Sequence, residues 1–144
     1  VATSFQVSFD AADPPALARF WAEVLGYVSE PPPEGYGSWD DWLVAMGIPE
    51  DQWTRVATLV DPEGRRPRFF IQRVPEPKTA KNRLHLDVNC GGERGTPPDV
   101  RRARVDAEVD RLLALGATKV GEGGERGEYH VVMQDPEGNE FCLQ

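Results

Sequence analysis

Polar and apolar positions alternate strictly in Phe5-Gln6-Val7-Ser8-Phe9 and again in Leu84-His85-Leu86-Asp87-Val88. A period of two marks a strand that buries one face. Phe5, Val7 and Phe9 are therefore expected to pack while Gln6 and Ser8 face the other way, and the same parity turns His85 and Asp87 away from Leu84, Leu86 and Val88. After each strand the period changes. Asp13 is a suitable N-cap with Pro14 at the first helical position, and Leu17, Phe20, Trp21, Val24 and Leu25 follow at helical spacing until Gly26. Thr96-Pro97-Pro98 opens a second helical pattern through Val105, Val109, Leu112 and Leu113, closed by Gly116.

The two halves repeat beyond these elements. Asp61-Pro62-Glu63-Gly64 recurs as Asp135-Pro136-Glu137-Gly138, and each copy lies between short strand-like runs. Those runs are Arg55 to Val60 and Arg68 to Gln72 in the first half, and His130 to Gln134 and Phe141 to Gln144 in the second. Asp, Pro, a polar residue and Gly are the ingredients of a type I turn, with the Asp side chain accepting from its own turn backbone. Each half thus reads strand, helix, then two or three strands with the turn before the last. The predicted layout is a first module over 1–74 with an insertion at 29–55, a linker over 75–82, and a second module over 83–144. The insertion carries Pro31-Pro32-Pro33, Trp39, Trp42 and Trp53, and a short helical pattern from about Asp40 to Met46. The Gly-rich stretch Gly121 to Glu125 lacks the setting of a phosphate loop and is expected to be a flexible hairpin loop.

Composition narrows the function classes. The 144 residues carry 16 Lys and Arg against 24 Asp and Glu, a formal charge of -8, which disfavours nucleic acid and anionic lipid as partners. No apolar run is long enough to span a bilayer and no signal-peptide pattern opens the chain, so a soluble, cytoplasmic protein is expected. Residues upstream of Val1 are also expected. Two cysteines, Cys90 and Cys142, are too few for a disulfide framework.

In the order of these pieces the sequence resembles the vicinal oxygen chelate superfamily, closest to its glyoxalase-like and bleomycin-resistance-like branch. The pieces are the opening strand, Asp13, Phe20-Trp21, Leu25-Gly26-Tyr27, Leu84-His85-Leu86-Asp87, Leu115-Gly116-Ala117 and Asp135-Pro136-Glu137-Gly138-Asn139. The resemblance implies an α+β fold of two tandem βαβββ modules, related by a pseudo-twofold axis and forming an incomplete barrel around a cavity. It also implies a homodimer.

Metal-using members of that superfamily take ligands from the first and last strands of each module, commonly His or Gln and then Glu. Gln6 and His85 fill both first-strand positions. The last-strand positions fall on Cys142 and on Phe70, or on Gln72 if the register moves by two, while Glu140 shares the face two residues early. Gln6, His85 and Glu140 are the candidate ligands for Zn, Ni, Fe or Mn, but the set is poor in strong donors and the metal-free reading is preferred. The candidate ligand-binding residues are Gln6, Ser8, Trp42, Gln72, His85, Cys142 and Gln144, with His85 and Asp87 as a proton-transfer pair. Cys142 as a nucleophile is weighed against a small packed side chain, and the latter is favoured. The three tryptophans of the insertion read equally as a second small core or as a ligand-facing lid. Arg101, Arg102, Arg104 and Arg111, interleaved with Asp106, Glu108 and Asp110, read as a solvated helix face. The expected function is a small-molecule-binding glyoxalase-like protein. Two alternatives stand beside it: a metal-dependent lyase, isomerase or dioxygenase, and a drug-binding resistance protein.

Overall fold

The computed structural model describes residue 2, residues 4–125 and residues 128–144. The chain divides into two compact units, Val1–Pro77 and Lys78–Gln144. The first holds β1 (Val7–Ala11), α1 (Pro14–Leu25), β2 (Val28–Ser29), α2 (Trp39–Ala45), a 3-10 turn at Glu50–Gln52, β3 (Val56–Val60) and β4 (Phe69–Arg73). The second holds β5 (Leu86–Val88), α3 (Pro98–Ala114), β6 (Thr118–Glu125), β7 (Glu128–Gln134) and β8 (Glu140–Leu143). Each unit builds one open four-stranded sheet, in the orders β1-β4-β3-β2 and β5-β8-β7-β6. In both, the first strand runs parallel to the last.

The helix signals act as the sequence predicts. Asp13 Oδ1 accepts from the Ala16 amide at 3.1 Å, and Gly26 takes a left-handed φ of 68° to end α1. Leu17, Phe20, Trp21 and Val24 are buried against Phe9, Leu59, Phe69 and Ile71. Trp21 stacks on Phe9 at 5.5 Å and meets Phe69 edge-on at 6.5 Å. In the second unit Val105, Val109 and Leu112 are buried, as are Val131, Met133, Phe141 and Leu143 on the sheet that α3 covers. Leu113 falls off this stripe and is exposed.

Both Asp-Pro-Glu-Gly turns form through their aspartates. Asp61 is buried and accepts from the amides of Glu63, Arg65 and Arg66. Asp135 accepts from the amides of Glu137 and Asn139 and from the Asn139 side chain. Gly64 and Gly138 close the turns with positive φ.

Three local expectations are corrected. The strand predicted over Leu84 to Val88 begins at Leu86, so Leu84 and His85 lie just before β5. The first strand begins at Val7 and runs on to Ala11, because parallel pairing with β4 starts at Val7↔Phe69; Phe5 lies before it, 70% exposed, and does not pack. The Gly-rich stretch is not a loop: Gly121 to Glu125 belongs to β6 and pairs along β7, with a bulge between Lys119 and Gly121. Glycine suits this strand because the His130 ring lies over Gly123, where a Cβ would come within 2.9 Å of His130 Cε1.

In the insertion, Ser38 caps α2 by accepting from the Asp41 amide. The Trp39 and Trp53 indoles donate to Glu30 O and Ile48 O. None of the α2 residues is buried. Trp39 and Trp42 meet edge-to-face at 5.6 Å, both half-exposed.

Candidate functional site

Strand parity sends the polar residues of each sheet to the face opposite its helix. In the first unit Ser8 pairs in register with Phe70, and Asp10 with Gln72, whose amide donates to Asp10 Oδ1 at 3.0 Å. In the second, Asp87 pairs with Cys142, and the Gln144 amide donates to Asn89 Oδ1 at 3.1 Å. The alignment of the repeats, Ser8 with Asp87, Phe70 with Cys142 and Gln72 with Gln144, is therefore reproduced by strand pairing. The glutamine clamp onto the first strand is common to both units.

One step along the strands the units diverge. Arg68 stands where the second unit has Glu140. Its Nη1 donates to Gln6 Oε1 at 3.0 Å, and its Nε and Nη2 donate to the Glu30 carboxylate at 3.0 and 2.6 Å. These hydrogen bonds hold the Glu30 carboxyl below its ordinary range. The guanidinium also lies 5.6 Å from the centre of the Phe70 ring. Glu140 is buried and accepts from the Lys81 ammonium at 3.2 Å.

At the equivalent of Gln6, His85 brings Nε2 to 3.3 Å from Cys142 Sγ and 3.4 Å from Asp87 Oδ1. One donor atom from each of these three residues lies within 4.8 Å of the others. Burial pushes the Cys142 thiol up, and the nearby Asp87 and Glu140 carboxylates push it further, against the pull of Lys81. A thiol held protonated is a weak nucleophile, so the environment works against covalent catalysis by Cys142.

Of the residues predicted from the sequence, His85, Asp87 and Cys142 come together. Gln144 flanks them on the same strand face, held by Asn89. Glu140 keeps to its pair with Lys81. Gln6 is turned to Arg68, Gln72 to Asp10, and Ser8 is exposed beside Phe70 in the sheet register. Trp42 sits on α2 against Trp39. Sequence reasoning missed Arg68, Glu30, Asp10, Asn89 and Lys81. Aligning the two last strands two residues further back would have exposed the Arg68 and Glu140 exchange; Lys81 lies outside any periodic element.

The donor set that the superfamily resemblance implies does not fit the first unit. Gln6 Oε1 is held by a guanidinium already, Phe70 has no donor atom, and a divalent ion at Gln6 would face the fixed charge of Arg68. The second unit offers a nitrogen, an oxygen and a sulfur donor in His85, Asp87 and Cys142.

The family profile described as "Glyoxalase-like domain" matches residues 6–144. The chain belongs to the glyoxalase-like domain family. Solved structures agree at the level of fold. A glyoxalase/bleomycin resistance protein/dioxygenase family enzyme from Burkholderia phytofirmans PsJN is similar with a TM-score of 0.61 and 17% identity, over 96% of this chain and 94% of that one. The bleomycin-binding protein of Streptomyces verticillus, solved with copper(II)-bleomycin, gives 0.53 and 17% over 100% and 96%. A mutant fosfomycin resistance protein from Listeria monocytogenes, solved with Mn(II) and 1S,2S-dihydroxypropylphosphonic acid, gives 0.61 and 12% over 100% and 92%. No curated protein matches this glyoxalase-like chain in sequence. Among the described residues, no helix is long and apolar enough to cross a membrane.

Proposed function

We propose that this glyoxalase-like protein binds a small polar molecule against the sheet face that carries His85, Asp87, Cys142 and Gln144. The observation that carries the reading is the convergence of His85 Nε2, Asp87 Oδ1 and Cys142 Sγ, whose atoms lie within 4.8 Å of one another. A sheet face that gathers a few convergent polar groups beside a packed core suits ligand recognition better than plain surface. His85 with Asp87 at 3.4 Å also supports a proton-transfer role, the carboxylate stabilising the imidazolium formed when His85 takes a proton from a bound ligand. Solved structures of the same fold hold bleomycin and a dihydroxyphosphonate, which supports a ligand with adjacent oxygen atoms.

The test is a thermal-shift screen with dihydroxyphosphonates, 2-hydroxy acids and catechols. A hit whose stabilisation disappears in Asp87→Asn and Gln144→Ala, but persists in Tyr129→Phe, agrees with this face as the site. Stabilisation unchanged in all three variants rejects it.

A second reading has its own observation. Trp39 and Trp42 form a half-exposed aromatic pair flanked by Asp40 and Asp41, which favours a cationic aromatic compound of the kind a drug-binding protein sequesters. Tryptophan fluorescence that does not respond to a panel of such compounds counts against it. Two free cysteines support a reducing, cytoplasmic setting. The exposed apolar Val28, Val44 and Met46 support a homodimer, which light scattering on the purified protein decides.

A further inference from the structure

We infer that the second unit carries a separate binding site for a free α-amino acid, between the start of α3 and the β6–β7 hairpin. A cavity of about 510 Å³ opens there, lined by Pro98, Asp99 and Arg102 of α3 and by Glu122, Gly124 and Tyr129 of the hairpin. That volume lies within the range of roughly 300–1,000 Å³ that small-molecule pockets span. Tyr129 has the parity of Val131 and Met133, which are buried, whereas Cys142 pairs with Val132 on the opposite face of the sheet. The cavity is therefore distinct from the His85 face, and the inference stands independently of the function proposed above.

The site is built around a fixed guanidinium. Tyr129 Oη donates to Asp106 Oδ1 at 2.6 Å and to Glu122 Oε2 at 3.3 Å, which ties the ring to α3 and to β6. Arg102 lies over that ring, 4.3 Å from its centre, and this cation–π contact holds the planar fork in place. The Asp106 and Glu122 carboxylates stand 3.8 and 3.9 Å from it. Both are beyond hydrogen-bond reach, so neither occupies the fork. Lys119 donates to Glu122 Oε2 at 2.9 Å, a bond that keeps the Glu122 carboxyl below its ordinary range and therefore charged. Its Oε1, on the side of Arg102, is left over. Asp99, exposed in the first turn of α3, adds a second carboxylate.

The signs decide the ligand. A simple anion drawn to Arg102 meets two carboxylates, and a simple cation drawn to the carboxylates meets the guanidinium. A zwitterion satisfies both: its carboxylate accepts from the Arg102 fork while its ammonium donates to Glu122 Oε1 or to Asp99. The 3.9 Å gap between Arg102 Nη2 and Glu122 Oε1 suits the two charges of an α-amino acid, which a single carbon separates. Pro98 and Tyr129 offer apolar surface to its side chain, and Gly124, in register with Tyr129, puts no side chain in the way.

The experiment is saturation-transfer NMR on the whole chain with a panel of free α-amino acids at up to about 10 mM. At least one is expected to bind. Its N-acetyl derivative and its amide, each lacking one of the two charges, are expected to bind roughly tenfold more weakly or worse. That comparison uses the unmutated protein and depends on no variant folding. Arg102→Ala and Glu122→Gln are each expected to lose a similar factor, and Gln144→Ala, on the opposite face of the sheet, none. Silence from the whole panel, derivatives that bind as well as the parent amino acid, or binding kept in Arg102→Ala and lost in Gln144→Ala overturns the inference.

Discussion

The two units share a core face and differ on the opposite one. Phe69 and Phe141 occupy equivalent positions and are both buried, 4% and 0% exposed, under α1 and α3 respectively. Phe70 and Cys142, one residue on, point the other way and have nothing in common chemically. Arg68 and Glu140, one residue before, carry opposite charges and hold opposite partners, Glu30 with Gln6 in one unit and Lys81 in the other. The duplicated scaffold therefore fixes where side chains stand, while the occupants of the uncovered face set what each unit does. In the first, a built-in cation satisfies the polar groups. In the second, a thiol, an imidazole and a carboxylate converge.

The strongest way to test the shared half of this comparison is through the cores. Phe69→Ala and Phe141→Ala are each expected to cost about 3–5 kcal/mol, measured by urea unfolding, because each empties a packed aromatic site. A large difference between them would break the equivalence. The turns come next. Asp135→Ala leaves the buried Asn139 side chain and two amides without their acceptor and should cost about 1–3 kcal/mol. Asp61→Ala, which also frees amides in a tight turn, should fall in the same range.

Much of this was legible in the sequence and some was not. The repeated turn and the two alternating strands announced the modules, because hydrophobic period and turn chemistry are local. The same parity placed His85 and Asp87 on one face, and the matching strand endings placed Cys142 beside them. What stayed hidden depends on partners far along the chain. Arg68 reaches Glu30 across 38 residues and Gln6 across 62, and no local pattern records such a bond. Gly121 to Glu125 misled for a related reason: glycine lowers strand propensity, but pairing with β7 and the His130 ring over Gly123 outweigh it.

Smaller effects sharpen the difference between the faces. Arg68→Ala is expected to cost about 1–2 kcal/mol, since the pair it breaks is only partly buried and its hydrogen bonds are charged. Glu30 adds a pH signature. Its carboxyl titrates lower in the folded chain than in the unfolded one, so its contribution is complete above the unfolded value and lost as the pH falls through the folded value. The stability gap between the native chain and Glu30→Gln, followed by urea unfolding at a series of pH values, should therefore close on acidification. A gap independent of pH would mean that Arg68 does not hold the carboxylate.

The central claim is that the ligand-binding face is the one on which His85, Asp87 and Cys142 of the second unit converge. Calorimetric titration of a hit from the thermal-shift screen into Gln6→Ala and His85→Ala, side by side with the native chain, tests it most directly. The account predicts native affinity in Gln6→Ala, and a loss of about tenfold or more in His85→Ala. Equal losses in both variants, or binding untouched in both, would contradict it.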